Sequence, residues 1–538
     1  MSTYKNQLVE IPEDKGVHTK SAGARKEKYV YKYTKYYRNA DGEPRNNAKL
    51  IGKYDADSGK MYPNDNYFEI YHVDVSFPDI SIMDYGYTYL VNKICQDIGL
   101  FKCLKNAFRK NFMEIIVIAA YIIREGNAMD GIDDWQERNC FPWFDKLLTS
   151  QKTSKIFGTI SEEEQETFFK DWIKTVSDGG KVFYDVTSIS SYAQGMTEVE
   201  HGYNRDKDDL PQYNLGMFCS EGNKLPLYYN RYNGSLTDKT NLSYVLENAK
   251  AVGIEKVKMF LDGGFWSEEC MQSLNECCAA FTVGMPASLK EAEKIIADYG
   301  QNIEKYENEL PGGRVYCVQV NSKIYGIEGR VLLYYDLWNH VNLCSEMSAR
   351  IEDLKDELSK FKRYPKSKLS KFKKYFTVTK NDNDSGFSYY IDMEKVEKLR
   401  NAKGFFLLFT TDMESSPEDI LYYYRAKDID EKIFSQIKVD MESGRIRTHS
   451  TETTNGKTFV TFVACIIRSY MLNKLTPYIN KKSTSLKKVL NQLSNITVTA
   501  GQSGYRFTKA LTKKQKEILL TFDAESDMLE SVKDFGLR

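Results

Sequence analysis

Long hydrophobic runs, clustered histidines and paired cysteines are what this 538-residue chain lacks. The longest apolar run, Ile115 to Ile123, is enclosed by Arg109, Lys110 and Arg124 and falls well short of the roughly 20 residues a membrane helix needs. The opening Met1-Ser-Thr-Tyr-Lys-Asn has no apolar stretch of the kind a secretory signal carries, so a soluble protein of the cytoplasm is expected, without membrane contact. The ten cysteines are scattered, mostly in apolar company, with no C-x-x-C pair of pairs. The neighbours Cys277 and Cys278 suit neither a zinc ribbon nor an ordinary disulfide; reduced, mostly buried thiols are expected. The five histidines do not cluster. An excess of charge is missing too, with 75 Lys plus Arg against 75 Asp plus Glu. A neutral total does not exclude a nucleic-acid partner, because affinity for phosphates comes from local basic faces.

One such face is present. From Lys360 to Lys374 the bases Lys360, Lys362, Arg363, Lys366, Lys368, Lys371, Lys373 and Lys374 occur with no acid between them, interleaved with Phe361, Tyr364, Phe372 and Tyr375. Contact with a DNA backbone is one reading and a solvated basic segment the other.

Three carboxylates stand in settings that suit chemistry. Asp185 lies in Lys181-Val-Phe-Tyr-Asp185-Val-Thr-Ser, Asp262 closes Val257-Lys-Met-Phe-Leu-Asp262-Gly-Gly, and Glu431 falls in Tyr424-Arg-Ala-Lys427-Asp-Ile-Asp-Glu431-Lys-Ile-Phe-Ser-Gln-Ile-Lys438. The first two read as strand ends and the third as a helix. Tyr424, Lys427, Glu431 and Lys438 stand at offsets 0, 3, 7 and 14, which share one face of a continuous α-helix. Ser416 is a suitable N-cap, followed by Pro417 and the acids Glu418 and Asp419. Ordinary surface charge pairs on a solvated helix are the plain alternative. Three acids brought together would suit Mg²⁺, which takes a few carboxylates and leaves room for substrate phosphates. A pair of ions roughly 3.5 to 4 Å apart clamps both oxygens of an in-line phosphoryl displacement.

These residues resemble the DDE transposases of bacterial insertion sequences. Within them they look like the insertion-sequence-four superfamily, with its Tyr-x2-Arg-x3-Glu-x6-Lys signature and a β-rich insertion between the second Asp and the Glu. The spacing is kept as Tyr424-x2-Lys427-x3-Glu431-x6-Lys438, with Lys427 where the family has arginine, a point charge in place of a planar fork. Tyr184 to Ser191, Gly202-Tyr-Asn-Arg-Asp206, Leu210-Pro-Gln212, Leu225-Pro226 and Asp262 to Ser267 look like the family's core blocks in the family's order.

The resemblance implies cleavage at the ends of a mobile element and strand transfer into target DNA. Asp185, Asp262 and Glu431 would be the catalytic acids and ligands of two Mg²⁺ ions, with Mn²⁺ as a substitute. Lys427 and Lys438 would hold the phosphate beside the scissile bond and Tyr424 would pack on the terminal nucleotide. Trp338 would stack on an extruded base, with Trp266 a weaker candidate. Lys362, Arg363, Lys373 and Lys374 would contact DNA. Implied partners are double-stranded DNA with terminal inverted repeats, target DNA and a second copy of the chain. The setting would be a bacterial cytoplasm, associated with the nucleoid. A nuclease on the same fold and a domesticated, non-cleaving DNA-binding protein are the alternatives.

The expected fold is α/β. Lys181 to Ile189, Tyr213 to Ser220 and Leu225 to Tyr232 read as strands, then a helix over about 239 to 252 and a strand ending at Asp262. That order fits a ribonuclease H-like core, expected over 179–285 and 403–478 around a mainly β insertion domain over 286–402. Before it come a flexible tail (1–24), a small β-meander (25–78) offering Arg25, Lys26, Lys28, Lys32, Lys35 and Arg38 to a DNA end, and a helical domain (79–178). A helical C-terminal region (479–538) follows. Two look-alikes are set aside. Gly456-Lys457-Thr458 resembles the end of a P-loop, but Thr451 holds the first glycine position, so no nucleotide cofactor is expected. Asn381 to Asp392 lacks the final Glu of a calcium loop and reads as a hairpin.

Overall fold

Alternation of tyrosine with lysine builds the first of two units in the computed structural model, which describes residues 8–22, 27–39, 41–71, 81–177, 180–193, 196–203, 209–381, 386–501 and 504–534. That unit is Met1–Ser81 with Thr499–Tyr505, and the second is Ile82–Val498 with Arg506–Arg538. The first holds an antiparallel sheet in the order β1 (Val17–Ala22), β2 (Glu27–Arg38), β3 (Pro44–Tyr54), β4 (Met61–Pro63). Period-two alternation turns Val30, Ile51 and Met61 inward together.

The tail expected over 1–24 is corrected here, because Val17–Ala22 is a paired strand with Val17 opposite Lys32. His18 stacks on Tyr33 at 4.4 Å, and Lys32 pairs with Asp14 at 3.1 Å. Val17-His-Thr-Lys-Ser-Ala carries too little apolar alternation to announce a strand alone. Arg25 and Lys26 lie outside the described residues.

β5 (Ser81–Asp84), at the boundary of the two units, leads into the second unit's helices Gly86–Asp97, Leu100–Ala107, Phe112–Glu125, Ile132–Glu137, Ser150–Thr159 and Glu162–Val176. The last starts with a capping box: Glu164 N–H donates to the Ser161 hydroxyl, and Ser161 N–H to the Glu164 carboxylate. The apolar run Ile115–Ile123 is buried in Phe112–Glu125, which packs on the long helix Thr451–Lys482. Among the described residues no helix is long and apolar enough to cross a membrane. All ten cysteines are free thiols, seven of them buried.

A nine-stranded mixed sheet forms the centre. Its strands are β6 (Lys181–Ser191), β7 (Gln212–Ser220), β8 (Pro226–Asn233), β9 (Lys258–Leu261), β10 (Ala280–Met285), β11 (Val315–Ile324), β12 (Ile327–Asp336), β15 (Phe405–Thr410) and β16 (Arg445–Ile446). Between β12 and β15 lies a separate hairpin, β13 (Phe376–Lys380) and β14 (Phe387–Ile391). The sheet order is β11-β12-β15-β10-β9-β6-β7-β8, with β16 alongside β6. β6 runs antiparallel to β7 and parallel to β9.

The segment expected as a mainly β insertion is different. Its hairpin β11–β12 continues the central sheet through β15, and much of the rest is helix. Leu337–Ser359 sets Met347, Ile351, Leu354 and Leu358 on one stripe against Phe372, Tyr375 and Phe376. The sequence shows both strand and helix periods here, but which sheet a strand joins is a long-range pairing that neither period encodes.

Candidate active site

Strand register brings the two aspartates together. β6 and β9 are parallel neighbours with Phe183 opposite Phe260, and Asp185 and Asp262 each stand two residues further along. Side chains repeat every second residue on a strand face, so β6 turns Asp185 to the side of Phe183. Phe183 and Phe260 pack beneath Ile420 and Leu421 of the helix Pro417–Ala426. The next helix, Asp428–Ser435, carries Glu431 and packs on β6. The helix that carries Glu431 thus lies against the strand that carries Asp185, with Glu431 itself exposed.

Each aspartate is oriented locally. Val186 N–H donates to Asp185 Oδ1 at 2.8 Å. Asp262 caps the turn Gly263–Phe265, where Gly264 N–H donates to its Oδ1 at 2.8 Å. A Cβ on Gly264 would lie 2.8 Å from that oxygen, which is why Asp-Gly-Gly fits here. Gly284 on β10 does a related job: a Cβ there would meet the Tyr424 hydroxyl at 2.7 Å. Burial, with the Asp262 charge second, pushes the Tyr424 phenol up to about 12.

Lys427 lies with Nζ 4.0 Å from Asp262 Oδ2, its side chain 13% exposed. The same ammonium is 5.6 Å from the centre of the Tyr424 ring.

The continuous helix expected through Tyr424 and Lys438 is corrected. Pro417–Ala426 ends before Lys427, Asp428–Ser435 follows, and Gln436–Asp440 is a π turn in which Met441 N–H reaches the Gln436 carbonyl at 2.9 Å. A π turn inserts a residue into the helical count and is frequent at functional sites. It takes Lys438 off the predicted stripe and toward Gly444, whose added Cβ would lie 3.4 Å from Lys438 Cβ. Bonds from Ser443 and Gly444 N–H to the Ile437 and Lys438 carbonyls then turn the chain into β16 beside β6.

The donor set, carboxylate oxygen throughout, suits a hard divalent ion in kind. Among the described residues no three His, Cys, Asp or Glu side chains are gathered as an ion site. Lys427 stands on the Oδ2 side of Asp262.

Other predicted residues fall elsewhere. Trp338 stands in the first turn of Leu337–Ser359, 58% exposed, with the Arg314 guanidinium 5.5 Å from its ring centre. It is therefore neither in a strand nor in the core. Trp266 is buried against Phe409, a core position that corrects its candidacy. In the basic run Lys362, Arg363, Lys373 and Lys374 are exposed while Phe372 and Tyr375 are buried, so the interleaved aromatics serve the local core. Of Gly202 to Asp206, residues 204–206 lie outside the described residues. Gly456, Lys457 and Thr458 are buried in the helix Thr451–Lys482, which leaves no phosphate loop there.

One cluster escaped the sequence reading. Arg330 on β12 donates to the backbone carbonyls of Asp412 and Ser415, and Lys258 Nζ lies 2.7 Å from the buried Asp412 carboxylate. Ser415 donates to the same carboxylate. This network fixes the loop between β15 and the Glu431-bearing segment. Its members are distant in sequence, and only the short Asp412-to-Ser415 loop carries a local signal.

Residues 177–467, more than half of the chain and including Asp185, Asp262 and Glu431, match the transposase DDE domain family. The chain belongs to that family. No curated protein matches it. Among solved structures the chain is similar to a piggyBac transposase synaptic complex with hairpin DNA, at 12% identity and a TM-score of 0.37, over 84% of this chain and 82% of the other.

Proposed function

We propose that this DDE-family transposase cuts DNA at the ends of an insertion sequence and joins them to a target by metal-dependent phosphoryl transfer. The observation that carries the reading is Asp185 on β6 and Asp262 directly after the end of its parallel neighbour β9, with the Glu431 helix packed on β6. The order β8-β7-β6-β9-β10 supports a ribonuclease H-like core, in which the first acid comes from the central strand and the second follows the fourth. The Tyr424-to-Lys438 spacing supports the insertion-sequence-four group.

Asp185, Asp262 and Glu431 would hold Mg²⁺ or Mn²⁺, which when bound neutralises charge on the reacting phosphoryl oxygens. Lys427 and Lys438 would position the adjoining phosphate and Tyr424 the terminal nucleotide. Trp338 would stack on an extruded base; exposure and a flanking arginine suit that role. Lys362, Arg363, Lys373 and Lys374 would track the backbone, and two copies of the chain would pair the ends. Phosphoryl transfer depends mainly on positioning and charge stabilisation, so each acid is needed for turnover more than for DNA affinity. One observation favours the domesticated, non-cleaving reading: Lys427 already pairs with Asp262.

The test incubates wild type and Glu431→Gln with DNA carrying the sequence that flanks the gene, with Mg²⁺ or Mn²⁺, and resolves strands on a denaturing gel. Cleavage at repeat ends that needs both the metal and Glu431 is expected. Binding without cleavage by either protein would establish the non-cleaving reading.

A further inference from the structure

Charge is unevenly spread along this neutral chain. From Thr453 to Lys516 the sequence holds twelve bases and no acid, so the remainder carries the matching negative excess. Lys457 and Arg468 are buried in the helix Thr451–Lys482. Seven of the other bases lie on the last turn of that helix and on the helices Leu486–Ser494 and Lys513–Leu520, which pack in sequence order.

These three helices border a cleft of about 470 Å³. Lys482, Lys488 and Lys514 line it, one from each helix, together with Tyr478, Asn491 and Gln492. Among the described residues no carboxylate lines it. One acid engages it from outside the lining: Glu517 Oε2 lies 2.9 Å from Lys482 Nζ. A bond from Lys482, with the Lys513 and Lys481 charges behind it, holds that carboxylate below its ordinary range. Lys488 and Lys514 are exposed, and among the described residues neither is in an ion pair.

Three lysines around one concavity, against a single carboxylate, repel one another. Lys488 and Lys514 also stand in the first turns of their helices, and neither turn holds an acid, although the helix dipole opposes a cation there. Real proteins break such local rules mainly at functional sites. An anion with several charges would relieve both conflicts. The cleft exceeds one phosphate in size, and lysine offers point charges without a fixed fork, so the match is to a run of phosphates and not to one shaped group.

We propose that this cleft grips the sugar–phosphate backbone of duplex DNA, through residues other than those of the candidate active site and of the Lys360 to Lys374 run. The choice of DNA as the polyanion rests on the transposase reading.

The test uses the full chain and a labelled duplex of arbitrary sequence, with affinity followed by anisotropy at several salt concentrations. Each phosphate contact adds about 0.9 to the slope of log affinity against log salt. The double variant Lys488→Gln, Lys514→Gln should therefore lower that slope by about 1.8 and weaken binding about tenfold near 0.1 M salt. Glu517→Gln should do the reverse, because it frees Lys482: affinity rises and the slope steepens by about 0.9. A variant that merely loosened the fold would not gain affinity. Lys170→Gln, at an exposed lysine paired with Glu166, is the control and should change nothing.

Unchanged slopes in the double variant and in Glu517→Gln, with end cleavage intact, would overturn the proposal and leave the transposase reading standing. Tripolyphosphate is the second probe. A rise in melting temperature that wild type shows and the double variant loses, with no duplex binding by any of the proteins, would overturn DNA as the occupant and the transposase reading with it.

Discussion

The Lys427 ammonium stands 4.0 Å from Asp262 Oδ2, so a fixed cation already faces an oxygen that a divalent ion would use. The two compete for one carboxylate. Lys427→Met should therefore tighten Mg²⁺ binding by about two- to fivefold, the range of a partly exposed ion pair, and weaken DNA binding. Thermal shift against Mg²⁺ concentration reads the first effect and anisotropy the second. Unchanged metal affinity would mean the contact is incidental.

Asp185→Asn keeps side-chain size and the hydrogen bond from Val186 while removing the charge. Strand cleavage should disappear, with DNA affinity and melting temperature near those of wild type. A large fall in melting temperature would assign Asp185 to the fold.

Lys457 sits 2% exposed in a 32-residue helix, its Nζ 3.3 Å from the Arg447 carbonyl. Burial, helped by the nearby Arg447 charge, pulls its ammonium down to about 8. The folded state thus disfavours the charged form, and the chain is least stable where Lys457 must stay charged. That penalty, roughly 3 kcal/mol, is present below about pH 8 and fades as pH rises toward the unfolded value near 10.5. Lys457→Met should raise the melting temperature at pH 7 and have little effect near pH 10.5.

Burial works against the Asp412 carboxylate, but Lys258, the Ser415 hydroxyl and the N–H groups of Ser415 and Glu414 more than offset it and hold it well below the usual range. Its contribution to stability is present at neutral pH and lost as pH falls below about 4. Asp412→Asn should cost roughly 3 kcal/mol in denaturant unfolding, the scale for breaking a buried pair, and the loss should shrink in acid.

Trp338 is exposed, so Trp338→Ala should leave the melting temperature unchanged. If the ring stacks on an extruded base, the same variant should reduce end processing about tenfold.

Local sequence carried much of the site. Strand alternation bounded β6 and β9 within a few residues, and Ser416-Pro417 marked the helix before Lys427. The Lys360 to Lys374 run shows the limit: sequence gave its charge, while Phe372 and Tyr375 turned inward for a core that forms only when Leu337–Ser359 packs over them.

Asp185, Asp262 and Glu431, their spacing, and the strands and helices that carry them follow from the sequence alone, because periodicity, capping and charge are local. Three things waited for the tertiary structure: the β11–β12 hairpin joining the central sheet, the break at Lys427 with its π turn, and the Arg330, Lys258 and Asp412 network. Each depends on contacts between residues far apart in the chain, and such contacts are chosen by packing and hydrogen-bond closure across the whole sheet.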